Sequence, residues 1–387
     1  MKINSREDIA QLLASWVECG WLRELDRALV TFLAKEAPDA HPLLLLATAL
    51  TSYQLGRGHV CLDLQATLDD SAFSLSLPPE GDHADGAVIR PAAVLDDLSL
   101  QEWLAALVHP TLVGHHEGNS PLVLTGQRLY LRRYWQYEQN VRAAIEQRLA
   151  RSALHTLPVE SLRAPLTALF PADAKSDIAN WQKLACALAA GSAFSIITGG
   201  PGTGKTTTVV RLLALLQTLA LEENGQPLRI RLAAPTGKAA ARLNESIAGA
   251  VSKLDLSALG NGNAVRESIN TDVVTLHRLL GSRPDTRHFR HHPGNPLMLD
   301  VLVVDEASMV DLEMMAALLA ALPEQARLIL LGDKDQLASV EAGALLSELC
   351  QRANGGHYLP HTRDWLQSVT GEQVPDSLVD PQGTAMD

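Results

Sequence analysis

Residues 199–206, Gly-Gly-Pro-Gly-Thr-Gly-Lys-Thr, set a lysine and a hydroxyl behind a glycine-crowded turn. The spacing satisfies G-x-x-x-x-G-K-[ST] between an apolar run and a long apolar-periodic stretch, the strand and helix flanks that this pattern needs. Glycines let successive backbone N–H groups converge on phosphate oxygens, and the helix that follows adds its positive end. Gly199, Gly200, Pro201, Gly202, Thr203 and Gly204, followed by Lys205, Thr206 and Thr207, are therefore expected to bind ATP. Lys205 is expected to reach the β and γ phosphates, and the Thr206 hydroxyl to hold Mg²⁺. A chance glycine turn is the competing reading, and it leaves both flanks unexplained.

Hydrolysis needs a carboxylate partner, which the run Val301–Val304 followed by Asp305 and Glu306 supplies at the carboxyl edge of an apolar strand. Asp305 is expected to hold Mg²⁺ with Thr206, and Glu306 to orient and deprotonate the attacking water. A solvated acidic strand end is the bland alternative. A third run ends in Leu-Leu-Gly-Asp-Lys-Asp-Gln at residues 330–336, so Asp333 and Gln336 are expected near the γ phosphate. Taken alone, that stretch reads equally well as an ordinary loop. Gln182 stands at the head of a helix, and its amide has the donor and acceptor that match the N6 and N7 edge of adenine. A plain surface glutamine is the alternative there.

A second phosphate-handling turn follows another strand. Pro235, Thr236 and Gly237 open a helix bearing Lys238 and Arg242, and this group is expected to grip a phosphodiester backbone. His277 and Arg278 lie on a short helix beyond it, where packing is the competing role. The Pro-bounded stretch 282–296 carries Arg283, Arg287 and Arg290 against one acid, Asp285. Arg287, Arg290 and Phe289 are expected to touch nucleic acid, the aromatic ring by stacking on a base; an exposed loop is the alternative. Its histidines, His288, His291 and His292, lack the cysteine and acid company of a metal site.

The elements that must position these groups are legible as apolar runs at 194–198, 230–234, 301–304 and 327–331 alternating with helices. Apolar on both faces, they predict a parallel α/β sheet covered on two sides. The first 150 residues read as a small mixed, mainly helical domain, with short strands at 58–64 and a hairpin at 121–133 turning at Thr125 and Gly126. Residues 69–87 read as a long loop, Tyr134 to Ala153 as a helix, 151–177 as a linker, 178–355 as the phosphate-binding domain and 356–387 as a tail. No internal repeat is visible.

At 387 residues and 47% hydrophobic, the chain has room for two domains. The formal net charge of −12 argues against a broad basic surface, so nucleic acid would need a local groove. Four scattered cysteines argue against zinc or a disulfide framework and fit a reducing cytoplasm. Neither a signal peptide nor a membrane span is expected.

The wording and order of GGPGTGKTTT, AAPTGKAAARL, TLHRLLG, FRHHPGNPL, LDVLVVDEASM and LGDKDQLASVEAGA closely resemble superfamily 1 DNA helicases of the RecD type, over roughly residues 178–350. The N-terminal GHVCLDL and RLYLRRYW resemble the amino-terminal domain of that family, which docks on a RecC partner. The resemblance implies a P-loop NTPase (RecA-like) domain and a 5′ to 3′ single-stranded DNA translocase. It implies work with RecB and RecC at double-stranded DNA ends, in break repair and recombination. It carries the catalytic roles onto Lys205, Asp305, Glu306 and Gln336, and makes 282–296 a pin-like insertion beside DNA. The family pattern continues into a second motor domain with an arginine finger, which this sequence does not show. The chain by itself is therefore expected to bind ATP weakly and hydrolyse it slowly, with a noncatalytic assembly subunit as the alternative.

Overall fold

The computed structural model describes residues 3, 5–79, 81, 88–151, 157–171, 179–200, 202–336, 343, 345–353 and 355–380. Two compact units divide the chain, one built mainly from residues up to Gln139 and the other mainly from Asn140 onward. The division falls inside the helix Arg132–Leu149, whereas the sequence places it near 150–178 and has that helix begin two residues and end four residues later.

In the first unit the helix Pro42–Leu55 is buried from Leu44 to Gln54, because its run of leucine, alanine and threonine offers no polar face to water. Asp26 on the helix Glu24–Glu36 is fully buried and tolerated there because it is paired. It accepts from the Arg23 guanidinium at 2.7 Å and from the Ser52 hydroxyl at 2.6 Å. The strands β1 (Cys61–Asp63), β2 (Val113–Gly114), β3 (Leu122–Thr125) and β4 (Arg128–Leu131) form a sheet in the order β1-β4-β3-β2. The β3–β4 hairpin pairs Leu122 with Leu131 and Thr125 with Arg128, and turns through Gly126 at φ 59°. Within the expected loop 69–87, Ser71–Leu75 is a short helix, while 80 and 82–87 lie outside the described residues.

The second unit is a five-stranded parallel sheet: β5 (Phe194–Thr198), β6 (Ile230–Ala234), β7 (Val273–Thr275), β8 (Val301–Val304) and β9 (Arg327–Gly332), in the order β5-β9-β8-β6-β7. All four residues of β8 are buried, as a central strand covered on both faces requires. Val301, Val303, Ile329 and Leu232 share one core with Leu213 of the helix Lys205–Asn224 and Leu184 of the helix Trp181–Gly191.

Two expectations are corrected here. The expected linker contains the helix Val159–Leu169, whose Leu162, Leu166 and Leu169 enter that core with Phe170. Pro165 removes one backbone hydrogen bond from this helix, and apolar burial offsets the loss. The expected tail likewise contains the helix Pro360–Thr370, with Trp365, Leu366 and Val369 in the same core. Residues 152–156, 172–178 and 381–387 of those segments lie outside the described residues.

Candidate nucleotide site

The phosphate turn joins the end of β5 to the helix Lys205–Asn224, whose N-cap is Gly204 at φ 84°. Gly202 is also left-handed, at φ 79°, a conformation that glycine adopts without Cβ strain. The Gly199 N–H donates to the Gly332 carbonyl at 3.2 Å, and the Thr203 hydroxyl donates to the Gly200 carbonyl at 2.9 Å. The Lys205 ammonium donates to the carbonyls of Gly199 and Gly200. Gln182 sends its amide nitrogen to the Thr203 carbonyl, so the group expected to meet adenine is engaged by the turn itself. Pro201 lies outside the described residues.

Asp305 follows β8 directly and its N–H donates to Ala233 of β6 at 2.9 Å, which fixes the carboxylate at the sheet edge. Glu306 takes φ 52° and ψ 40°, a left-handed conformation that is costly for a residue with a side chain and recurs at functional sites. Burial pushes the Asp305 carboxyl above its ordinary range and the Glu306 charge adds to this. A backbone hydrogen bond from Glu306 and the charges of Lys205 and Arg242 oppose the rise. A divalent cation beside Asp305 would supply the missing counter-charge, and the Thr206 hydroxyl and Asp305 carboxylate are the hard oxygen donors that suit Mg²⁺. Magnesium keeps most of its shell as water and phosphate, so two protein oxygens suffice.

Beyond β9, the Lys334 N–H donates to the Thr198 hydroxyl at 3.1 Å, and buried Asp333 accepts from the Asp335 N–H at 3.1 Å. The loop bearing Gln336 is thereby tied to the strand that carries the phosphate turn. Lys205, Thr206, Asp305, Glu306 and Gln336 line one cavity of about 480 Å³, a size that suits a nucleotide.

The residues expected to contact DNA follow β6 and β7, the strands at the end of the sheet away from β5. The Thr236 hydroxyl caps the helix Gly237–Lys253 by accepting from the Ala239 N–H at 3.2 Å, with Pro235 before it and Lys238 exposed after it. His277 and Arg278 are exposed on the helix Leu276–Leu280, and the His277 ring meets Phe289 edge-on at 6.0 Å. Arg290 and His291 donate backbone hydrogen bonds to Gly281 and Leu280, each at 3.0 Å, so the insertion is stitched to that helix. Arg287 and Arg290 are exposed on it. Arg242 departs from this group, because it lines the nucleotide cavity. Ala239, Leu243 and Ser246 line the cavity with it, an i, i+3, i+4, i+7 stripe on one helix face that sequence reasoning left unread. Thr198 was missed as well, a strand-end hydroxyl that stands just outside the motif at 199–206.

Residues 182–342 match the AAA domain family, and residues 18–130 match the N-terminal domain of RecBCD enzyme subunit RecD. Fold and site thus define a P-loop protein of the AAA type that carries a RecD-type N-terminal domain. The chain is 39% identical to RecBCD enzyme subunit RecD of Haemophilus influenzae over 87% of its length and 51% of that protein. It is 43% identical to the RecD subunit of Mycolicibacterium smegmatis, over 83% of this chain and 51% of that one. To the ATP-dependent RecD2 DNA helicase of Deinococcus radiodurans it is 35% identical, over 61% and 29%. On these matches the chain carries a RecD-type N-terminal domain and an AAA domain and is similar to RecD subunits, of whose length it spans about half. Among the described residues no helix is long and apolar enough to cross a membrane.

Proposed function

We propose that this chain carries the ATP-binding motor portion of a 5′ to 3′ single-stranded DNA translocase, a helicase subunit that works at double-stranded DNA ends in break repair and recombination. ATP with Mg²⁺ is the fuel. Lys205 stabilises the β and γ phosphates, Thr206 and Asp305 hold the metal, Glu306 activates water and Gln336 senses the terminal phosphate. Lys238, Arg278, Arg287 and Arg290, with Thr236, His277 and Phe289, form the DNA track beyond β6 and β7. The first unit docks on a RecC-like partner, RecB completes a RecBCD-type assembly, and the complex works in the cytoplasm. The observation that carries this reading is the meeting of Lys205, Asp305, Glu306 and Gln336, from three separate strand ends, in one cavity.

Thermal melting of the 387-residue chain with Mg-ATP tests the pocket. Nucleotide at about 100 times its Kd stabilises the folded state by about 2.7 kcal/mol, and Lys205→Ala should abolish that gain. No shift in the wild-type chain would remove the ATP reading. ATPase stimulated by single-stranded DNA in the presence of RecB and RecC tests the motor.

A further inference from the structure

The helix Gly237–Lys253 begins at the turn assigned to the DNA track, yet one turn after Lys238 it brings Arg242 to the nucleotide cavity. Four residues of helix advance about 6 Å along one face, and of these two cations Arg242 lines the cavity while Lys238 does not. Among the described residues the cavity lining holds two carboxylates, Asp305 and Glu306, and one cation besides Arg242, Lys205. Arg242 balances the second of those carboxylates and so favours a polyanionic ligand. Lys205 spends hydrogen bonds on the carbonyls of Gly199 and Gly200. Arg242, by contrast, is exposed and makes no hydrogen bond or ion pair with any described residue. Its planar fork of donors matches phosphate oxygens two at a time, which a lysine cannot do.

We infer that Arg242 is a ligand of the terminal phosphate of the bound nucleoside triphosphate, supplied from the helix whose first turn faces DNA. The terminal phosphate is singled out because Arg242 lines the cavity with Asp305, Glu306 and Gln336, the groups at the hydrolytic end. Its charge also acts on the Asp305 carboxyl, which agrees with that placement. The inference rests on the ATP reading above and adds to it a direct lever: movement of the Thr236–Lys238 turn on DNA displaces a phosphate ligand within the same helix.

The test compares wild type, Arg242→Gln and Arg242→Lys in the full chain by titration with Mg-ATP, Mg-ADP and an oligothymidylate. A charge-assisted hydrogen bond to phosphate corresponds to a loss of about ten- to a hundredfold in affinity. Arg242→Gln should weaken Mg-ATP by that factor and leave Mg-ADP and oligothymidylate binding unchanged. Arg242→Lys should recover part of the loss, because the charge returns without the fork. Equal losses for ATP and ADP, an unchanged ATP affinity, or weakened oligothymidylate binding would each overturn the assignment. Failure of the wild-type chain to bind Mg-ATP would sink the nucleotide reading and this one together, whereas wild-type binding with an indifferent Arg242→Gln sinks this one alone.

Discussion

The Gln182 side-chain amide donates a hydrogen bond to the Thr203 carbonyl at 3.1 Å, so the helix before β5 holds the phosphate turn from its outer side. Room for this contact comes from Gly204, where an added Cβ would stand 2.5 Å from the Gln182 nitrogen at a φ of 84°. Gly204→Ala should therefore reduce Mg-ATP affinity at least about tenfold. Gly225→Ala is the control, since Gly225 is left-handed at φ 65° with nothing within 4 Å. It should cost about 1–2 kcal/mol of stability and leave nucleotide binding alone. Equal nucleotide affinities for the two variants would show that the contact is incidental.

Asp305→Asn separates stability from chemistry. Burial disfavours the charged carboxylate, so its replacement by a neutral amide should raise the melting temperature of the nucleotide-free chain. Each 1 kcal/mol relieved corresponds to about 2–4 °C. Magnesium-dependent ATPase should fall by about a hundredfold or more. A variant that melts lower without nucleotide would contradict the account of the site.

Near the same helix head, the Asn180 N–H donates to the Glu372 carboxylate at 2.9 Å, and buried Lys183 donates to the Thr370 carbonyl at 2.5 Å while lying 3.7 Å from Glu372. Glu372→Ala strips a buried ammonium of its counter-charge and should destabilise the fold by about 1–3 kcal/mol in urea unfolding. Lys183→Met combined with Glu372→Ala should cost less than the sum of the two single changes. Strict additivity would deny the coupling.

On the opposite edge of the sheet, Asp300 accepts from the Arg229 guanidinium at 2.7 and 3.0 Å and from the Arg229 N–H at 2.8 Å, joining the strand starts of β6 and β8. These bonds, the side-chain one foremost, hold the Asp300 carboxyl below its ordinary range. A depressed folded-state pKa contributes stability that is present above the unfolded pKa and lost as pH falls through the folded one. Asp300→Asn should cost at most about 1 kcal/mol at neutral pH because Arg229 is solvent-exposed. The difference from wild type should vanish on acidification below the carboxylate range. A gap that persists there would point to another origin.

Salt reads the DNA track. For single strands the logarithm of affinity falls against the logarithm of salt concentration by about 0.7 per phosphate contacted. Alanine at Arg287 and Arg290 together should make the slope shallower by about 1.4. An unchanged slope would remove the insertion from the track.

The four longer strands of the second unit were legible because each reads as a mainly apolar run, β8 and β9 being buried almost throughout, and the phosphate turn because its chemistry demands fixed spacing. β7 was not, since three residues, Val273–Thr275, are too few to show a period. The helices Val159–Leu169 and Pro360–Thr370 were hidden by their prolines and polar neighbours, because what holds them is a core assembled from distant segments. Arg242 was assigned with Lys238, its neighbour on the same helix, whereas the cavity formed with distant segments decides what it faces.

The strand order carries a mechanical consequence. β8, with Asp305 and Glu306 just beyond its end, is hydrogen-bonded to β9 on one flank and β6 on the other. It sits as a fulcrum between the strand that leads to Gln336 and the strand that leads to Thr236. Under the proposed function, a tilt imposed on either neighbour would reach Asp305 through ladder hydrogen bonds, which would gear fuel state and track state to each other without a flexible relay.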